Sequence, residues 1–119
     1  MNNFKRMWDF GTKEGIHFLH CNRVHPIMQG RVQKALQILE QDPNIQKIVL
    51  FGSSLEFRCS SFSDLDLYIE KAEPSLPLKN EPSLDCEIDF VMDLNHNSSL
   101  YKEIDRTGLL LFERGQKYV

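Results

Sequence analysis

The most constraining stretch of the chain is residues 48–70, IVLFGSSLEFRCSSFSDLDLYIE. It opens on Ile48–Phe51, a continuous apolar run that reads as the end of a strand buried on both faces. Gly52-Ser53 follows at once, and Asp64-Leu65-Asp66 then opens a second strand. Residues two apart on a strand share a face, roughly 6.5–7 Å apart at the backbone. Asp64 and Asp66 therefore aim their carboxylates the same way, with Tyr68, while Leu65, Leu67 and Ile69 face a core. Two like charges this close repel, and they coexist only with a cation or a raised pKa. Hard divalent cations with oxygen ligands, Mg²⁺ above all, suit such a pair.

The flanking sequence predicts a small α/β (α+β) domain, a mixed sheet backed by helices. Pro26 suits a first helical position, and Met28, Val32, Ala35, Leu36 and Leu39 form one face of a helix over 26–41. Asp42-Pro43-Asn44 ends it, and Ile45 to Phe51 is the first strand. A short helix is expected over 53–60. Pro74, Pro77 and Pro82 make residues 71–84 a loop or edge connection. Cys86 to Met92 reads as a third strand, with Glu87, Asp89 and Val91 on one face. Asn97–Thr107 reads as a helix with Leu100 and Ile104 on its inner face and Gly108 at its C-terminal cap, and Leu109–Glu113 as a last strand. Residues 1–24 read as an N-terminal extension in which Phe4, Met7, Trp8 and Phe10 share one face of a short helix. Residues 26–114 are the core of one domain spanning 1–119.

Asp89 supplies a third carboxylate, provided its strand lies beside the Asp64–Asp66 strand. Glu87 and Asp93 are its rivals. Gly52 lets the backbone approach a phosphate closely, and the following amides and the Ser53 hydroxyl can donate to it. Ser53 as a simple helix cap is the bland alternative. Arg58 is the one basic residue between Gly52 and Asp66 and a candidate phosphate contact. Lys13, Lys34 and Lys47 read as solvated charges.

Composition closes off other classes. The 119 residues carry 14 Lys and Arg against 17 Asp and Glu, a net charge of −3, which argues against extended nucleic-acid binding. No apolar run is long enough to span a bilayer, and the N-terminus has no secretory apolar segment. Cys21, Cys59 and Cys86 are odd in number and unpatterned, as expected of reduced thiols in the cytoplasm. His17, His20, Cys21 and His25 match no well-defined zinc spacing.

The segment LFGSSLEFRCSSFSDLDLYIE, followed by Ile88-Asp89-Phe90, resembles the signature of the DNA polymerase beta nucleotidyltransferase superfamily, and the small size resembles its minimal members. The resemblance implies that Asp64, Asp66 and Asp89 hold two Mg²⁺ ions and that Gly52 and Ser53 cradle the phosphates of ATP or another NTP. It implies transfer of a nucleotidyl group to an acceptor hydroxyl, on a small molecule or a partner protein, with loss of pyrophosphate. It also implies a helical HEPN-type partner in a toxin–antitoxin pair, and the short chain favours a protein acceptor or a homodimer. Minimal members often continue Gly-Ser with a basic or aromatic residue, Ala, a basic residue and Gly. Ser54-Leu55-Glu56-Phe57 stand there instead. That departure motivates the alternative of a nucleotide-binding or antitoxin-like module that acts without turnover.

Overall fold

The computed structural model describes residues 9–115. Helix α1 spans Pro26–Leu39. His25 caps its start: the ring Nδ1 accepts the Ile27 N–H at 3.2 Å. Met28, Val32, Ala35, Leu36 and Leu39 are buried as one stripe. The helix ends two residues short of the expected 41, because the Asp42 turn starts there. Asp42 Oδ1 accepts from Asn44 N and Oδ2 from Lys79 N, each at 2.9 Å, so this buried carboxylate ties the helix exit to the long loop. Arg114 closes the same corner, donating to the carbonyls of Glu40, Asp42 and Ile45 at 2.9–3.1 Å.

Four strands follow: β1 Ile45–Phe51, β2 Leu65–Lys71, β3 Ile88–Met92 and β4 Leu109–Glu113. The sheet order is β3-β2-β1-β4. β1 pairs antiparallel with β2 and with β4, while β2 and β3 run parallel. A register shift between Ile45 and Lys47 places Ile45, Ile48 and Leu50 together on the α1 side despite their uneven spacing. Leu65, Leu67, Ile69, Leu109 and Leu111 complete that core.

The other face is smaller. Helix α2, Ser99–Thr107, covers it, with Val49, Tyr68 and Ile104 buried together. The inner face of α2 is Tyr101 and Ile104 rather than Leu100, which is 49% exposed. Gly108 ends the helix, its N–H donating to Ile104 O at 2.7 Å, but with φ −83° it has no left-handed turn. It is a glycine for closeness: a Cβ there would stand 2.5 Å from Ile104 O and 2.6 Å from Val49 Cγ1.

Three further expectations change. The segment after β1 is a single 3-10 turn, Gly52–Leu55, not a helix over 53–60; Glu56 is already extended. β3 begins at Ile88, after residues that serve as its approach. Lys47 is not a solvated charge: its Nζ donates to the Tyr101 hydroxyl at 3.2 Å and lies 4.0 Å from Asp105. Tyr101 stacks on His96, which pairs with Glu70, and Glu70 accepts from the Tyr68 hydroxyl. This network pins the 93–98 loop against the second face.

Phe4, Met7 and Trp8 lie outside the described residues. From residue 9 onward the extension lies against α1. Buried Gln29 donates to Gly11 O and Val24 O at 2.8 and 2.9 Å and accepts from Lys13 N. One turn later Gln33 accepts from His17 N and donates to Gly15 O. Gln29→Ala should cost about 1–3 kcal/mol, since it strands three backbone groups at once. Urea denaturation read by far-UV circular dichroism checks this; an unchanged midpoint would mean that water replaces the amide freely. Among the described residues no helix is long and apolar enough to cross a membrane.

Candidate active site

The parallel pairing of β2 and β3 decides the site. Asp66 stands opposite Asp89 in register, one step after Leu65 opposite Ile88. In a parallel pair, residues side by side face the same way, so both carboxylates project from the face that also bears Tyr68. The ladder starts where Leu65 N donates to Glu87 O at 2.9 Å. Asp64, just ahead of the strand, adds its charge to the same corner. On the other side of Asp66 lies Phe51 of β1, whose next residue is Gly52.

Gly52 has φ +83°, the left-handed region that glycine occupies without steric cost. It is tight against the acid: a Cβ at residue 52 would overlap Asp66 Oδ2 and lie 3.2 Å from its Cγ. The glycine thus gives the Asp66 carboxylate its seat beneath the turn. Ser53 is half-exposed within the 3-10 turn and does not cap it; the capping position is Phe51. Ser54 points inward, and its carbonyl accepts from His25 N at 2.8 Å, linking the turn to the start of α1.

The electrostatics follow from this crowding. Burial, then the charges of Asp89 and Asp64, push the Asp66 carboxyl up to about 6, and the protonated form is held by a hydrogen bond to Asp89. No residue between Gly52 and Asp66 offsets this. Arg58 is 84% exposed and its Nε is 2.7 Å from Glu56 Oε1. The pair answers two questions at once: Glu56 is not a bare negative charge, and Arg58 faces its neighbour rather than the carboxylates. Of the rivals to Asp89, Asp93 is committed elsewhere, accepting from Lys71 N at 2.7 Å with Lys71 Nζ 3.6 Å away. Glu87 is exposed and contributes its carbonyl to the ladder.

Among the described residues no three His, Cys, Asp or Glu side chains stand ready around one point as a metal-ligand set. The histidine-rich segment is accounted for otherwise: His25 caps α1, His20 Nδ1 meets Leu110 O, and Cys21 Sγ meets the Thr12 hydroxyl. The aspartates do fit hard cations by their chemistry. Mg²⁺ commonly takes one or two carboxylates and fills its remaining positions with phosphate oxygens and water. A carboxyl driven up to about 6 by its neighbours is a group that a cation would relieve.

A small mixed sheet of this order, with paired aspartates on neighbouring strands under a Gly-Ser turn, is a nucleotidyltransferase fold. The family described as "Polymerase beta, Nucleotidyltransferase" matches residues 33–117, and the chain belongs to that family. No curated protein matches the sequence. Membership carries nucleotidyl transfer as the broad class of activity.

Proposed function

We propose that this protein is a Mg²⁺-dependent nucleotidyltransferase that moves an NMP group, AMP from ATP, onto an acceptor hydroxyl of a partner protein or small molecule. The observation that carries the reading is Asp66 beside Asp89 on parallel strands, with Gly52 folded over Asp66. Asp64, Asp66 and Asp89 would hold two Mg²⁺ ions. Ions bound there would neutralise phosphate charge and favour the acceptor alkoxide. The exposed Gly52–Ser53 turn receives the β- and γ-phosphates. A new bond forms from the acceptor oxygen to the α-phosphorus as the bond to the β-phosphate oxygen breaks, and the acceptor proton leaves to water. The chain's own contribution is positioning in a preorganised corner.

The acceptor side supports a protein or other apolar-bearing partner, because Phe62 is 93% exposed two residues before Asp64. A helical HEPN-type partner, a toxin–antitoxin role and a homodimer belong to this same proposal. So does a cytoplasmic location, which the free thiols of Cys21, Cys59 and Cys86 support.

The test is label transfer from α-labelled ATP with Mg²⁺, the protein and candidate acceptors, read together with pyrophosphate release. Transfer that Asp64→Ala and Asp66→Ala each abolish supports the enzyme. A second reading, nucleotide binding without turnover, is favoured by the Glu56–Arg58 pair, which leaves the turn without a side-chain cation. Binding of ATP without transfer across a broad acceptor screen would decide for it.

A further inference from the structure

Arg31 lies on α1, far in sequence from the carboxylates, yet its guanidinium holds the two segments that deliver them. Nε donates to Asp85 Oδ1 at 2.8 Å, and Nη1 donates to the Ser61 carbonyl at 3.3 Å. The stem is packed, with the side chain only 15% exposed and Nη1 3.4 Å from Met28 Sδ.

Both grips fall just upstream of the site. Ser61 belongs to the turn that leads into Asp64. That turn is a rigid unit: Ser60 N donates to Ser63 Oγ and Ser63 N to Ser60 O, each at 3.0 Å, and Phe62 N donates to Ser60 Oγ at 3.2 Å. These bonds link the tie at Ser61 to Ser63, the residue before Asp64. Asp85 leads into Glu87, whose carbonyl opens the β2–β3 ladder, and then into Asp89. No helix lies in the 72–87 connection; Leu84 and Cys86 seat it on the core, and Arg31 adds the polar tie at Asp85. A planar guanidinium offers two donors in fixed geometry, which a lysine cannot reproduce.

We propose that Arg31 is a positioning residue that couples the approaches to β2 and β3 and so sets the separation of Asp64 from the Asp66–Asp89 pair. What those carboxylates bind rests on the function proposed above; the coupling itself does not. Loss of the clamp loosens both approaches together and weakens binding of a divalent metal–nucleotide complex, although Arg31 touches neither.

The experiment compares wild type with Arg31→Leu, Arg31→Lys and the surface variant Asp85→Asn. Amide hydrogen exchange is read at residues 61–66 and 85–89. Affinity for Mn²⁺ with a non-hydrolysable ATP analogue is read by calorimetry, well below the melting temperature of each variant. In Arg31→Leu, exchange should quicken in both segments and affinity fall about tenfold, the lower end of what loss of an outer-shell partner does. Arg31→Lys should fall between, since it can keep Asp85 and lose Ser61. Asp85→Asn should loosen the 85–89 approach first and guards against an Arg31→Leu that does not fold. In Arg31→Leu, exchange that quickens in one segment only, or in neither, overturns the coupling, as does wild-type affinity alongside quickened exchange; should Arg31→Leu not fold, wild-type exchange at 61–66 in Asp85→Asn overturns it instead. If wild type binds no Mn²⁺–nucleotide, the proposed function fails, and the exchange data alone decide whether Arg31 couples the two approaches.

Discussion

Asp66→Asn should abolish nucleotidyl transfer while making the metal-free protein more stable at neutral pH. The activity loss follows from removing a central charge of the carboxylate corner; losing one preorganised electrostatic group costs on the order of 10²–10³ in rate. The stability gain follows from the cost of the charge itself. Burial and the neighbouring Asp89 and Asp64 raise the Asp66 carboxyl to about 6 in the folded chain, against about 3.9 for an aspartate in an unfolded chain. Between those values the folded state keeps a proton that the unfolded state has lost. Stability from this group is therefore present in full below about pH 4 and is lost as pH rises through about 6. Differential scanning calorimetry without metal should show the wild-type melting temperature falling across that window relative to Asp66→Asn, which has no group there to titrate. At pH 7.5, added Mg²⁺ should raise the wild type more than the variant, which keeps Asp64 and Asp89 but lacks the central carboxylate. A variant that melts below wild type at pH 7.5 without metal would contradict the crowding at the core of the site.

Gly52→Ala should lower stability and function together, unlike Asp66→Asn. At φ +83° an L-residue costs about 1–2 kcal/mol. The new methyl also occupies the space of Asp66 Oδ2. A carboxylate at the end of a side chain can swing aside, so the fold survives, but Asp66 then leaves its place beside Asp89. Transfer should fall at least about a hundredfold, as misplacing a reacting group by about 1 Å does. Denaturant midpoints and single-turnover rates measured on the same preparation check both halves. Full activity with a lowered midpoint would show that Gly52 serves the turn and not the acid.

The local pattern made much of this fold legible. The alternation in Asp64–Ile69 fixed which side chains meet the core, and Ile48–Phe51 marked a strand with both faces covered. The same alternation grouped Glu87, Asp89 and Val91 on one face. What local pattern cannot hold is register between distant segments. Whether Asp89 or Glu87 faces Asp66 depends on where β3 slides along β2: a two-residue slip would exchange them, and a one-residue slip would turn both to the other face. Lys47 looked solvated because its partners, Tyr101 and Asp105, are supplied by α2, more than fifty positions away. Local pattern gives no sign of what Gln29, Arg31 and Arg114 do, for the same reason, and places Arg31 simply on the polar side of its helix: each side chain satisfies backbone or carboxylate groups that only the folded chain brings near. The 53–60 segment failed as a helix because its serines favour turns and Glu56 is already extended.

Among the described residues β3 forms one margin of the sheet, with β2 on its inner side only. Its five residues, Ile-Asp-Phe-Val-Met, carry a single charge, Asp89, which is exposed. A short apolar strand with an unpaired backbone is a template on which another chain can add, and a charge in mid-strand is a common deterrent. The acid placed for chemistry therefore also keeps molecules apart. Neutralising it would leave a ribbon prone to self-association, and an inactive Asp89→Ala sample would be ambiguous between lost catalysis and clumped protein unless its particle size is measured beside its activity.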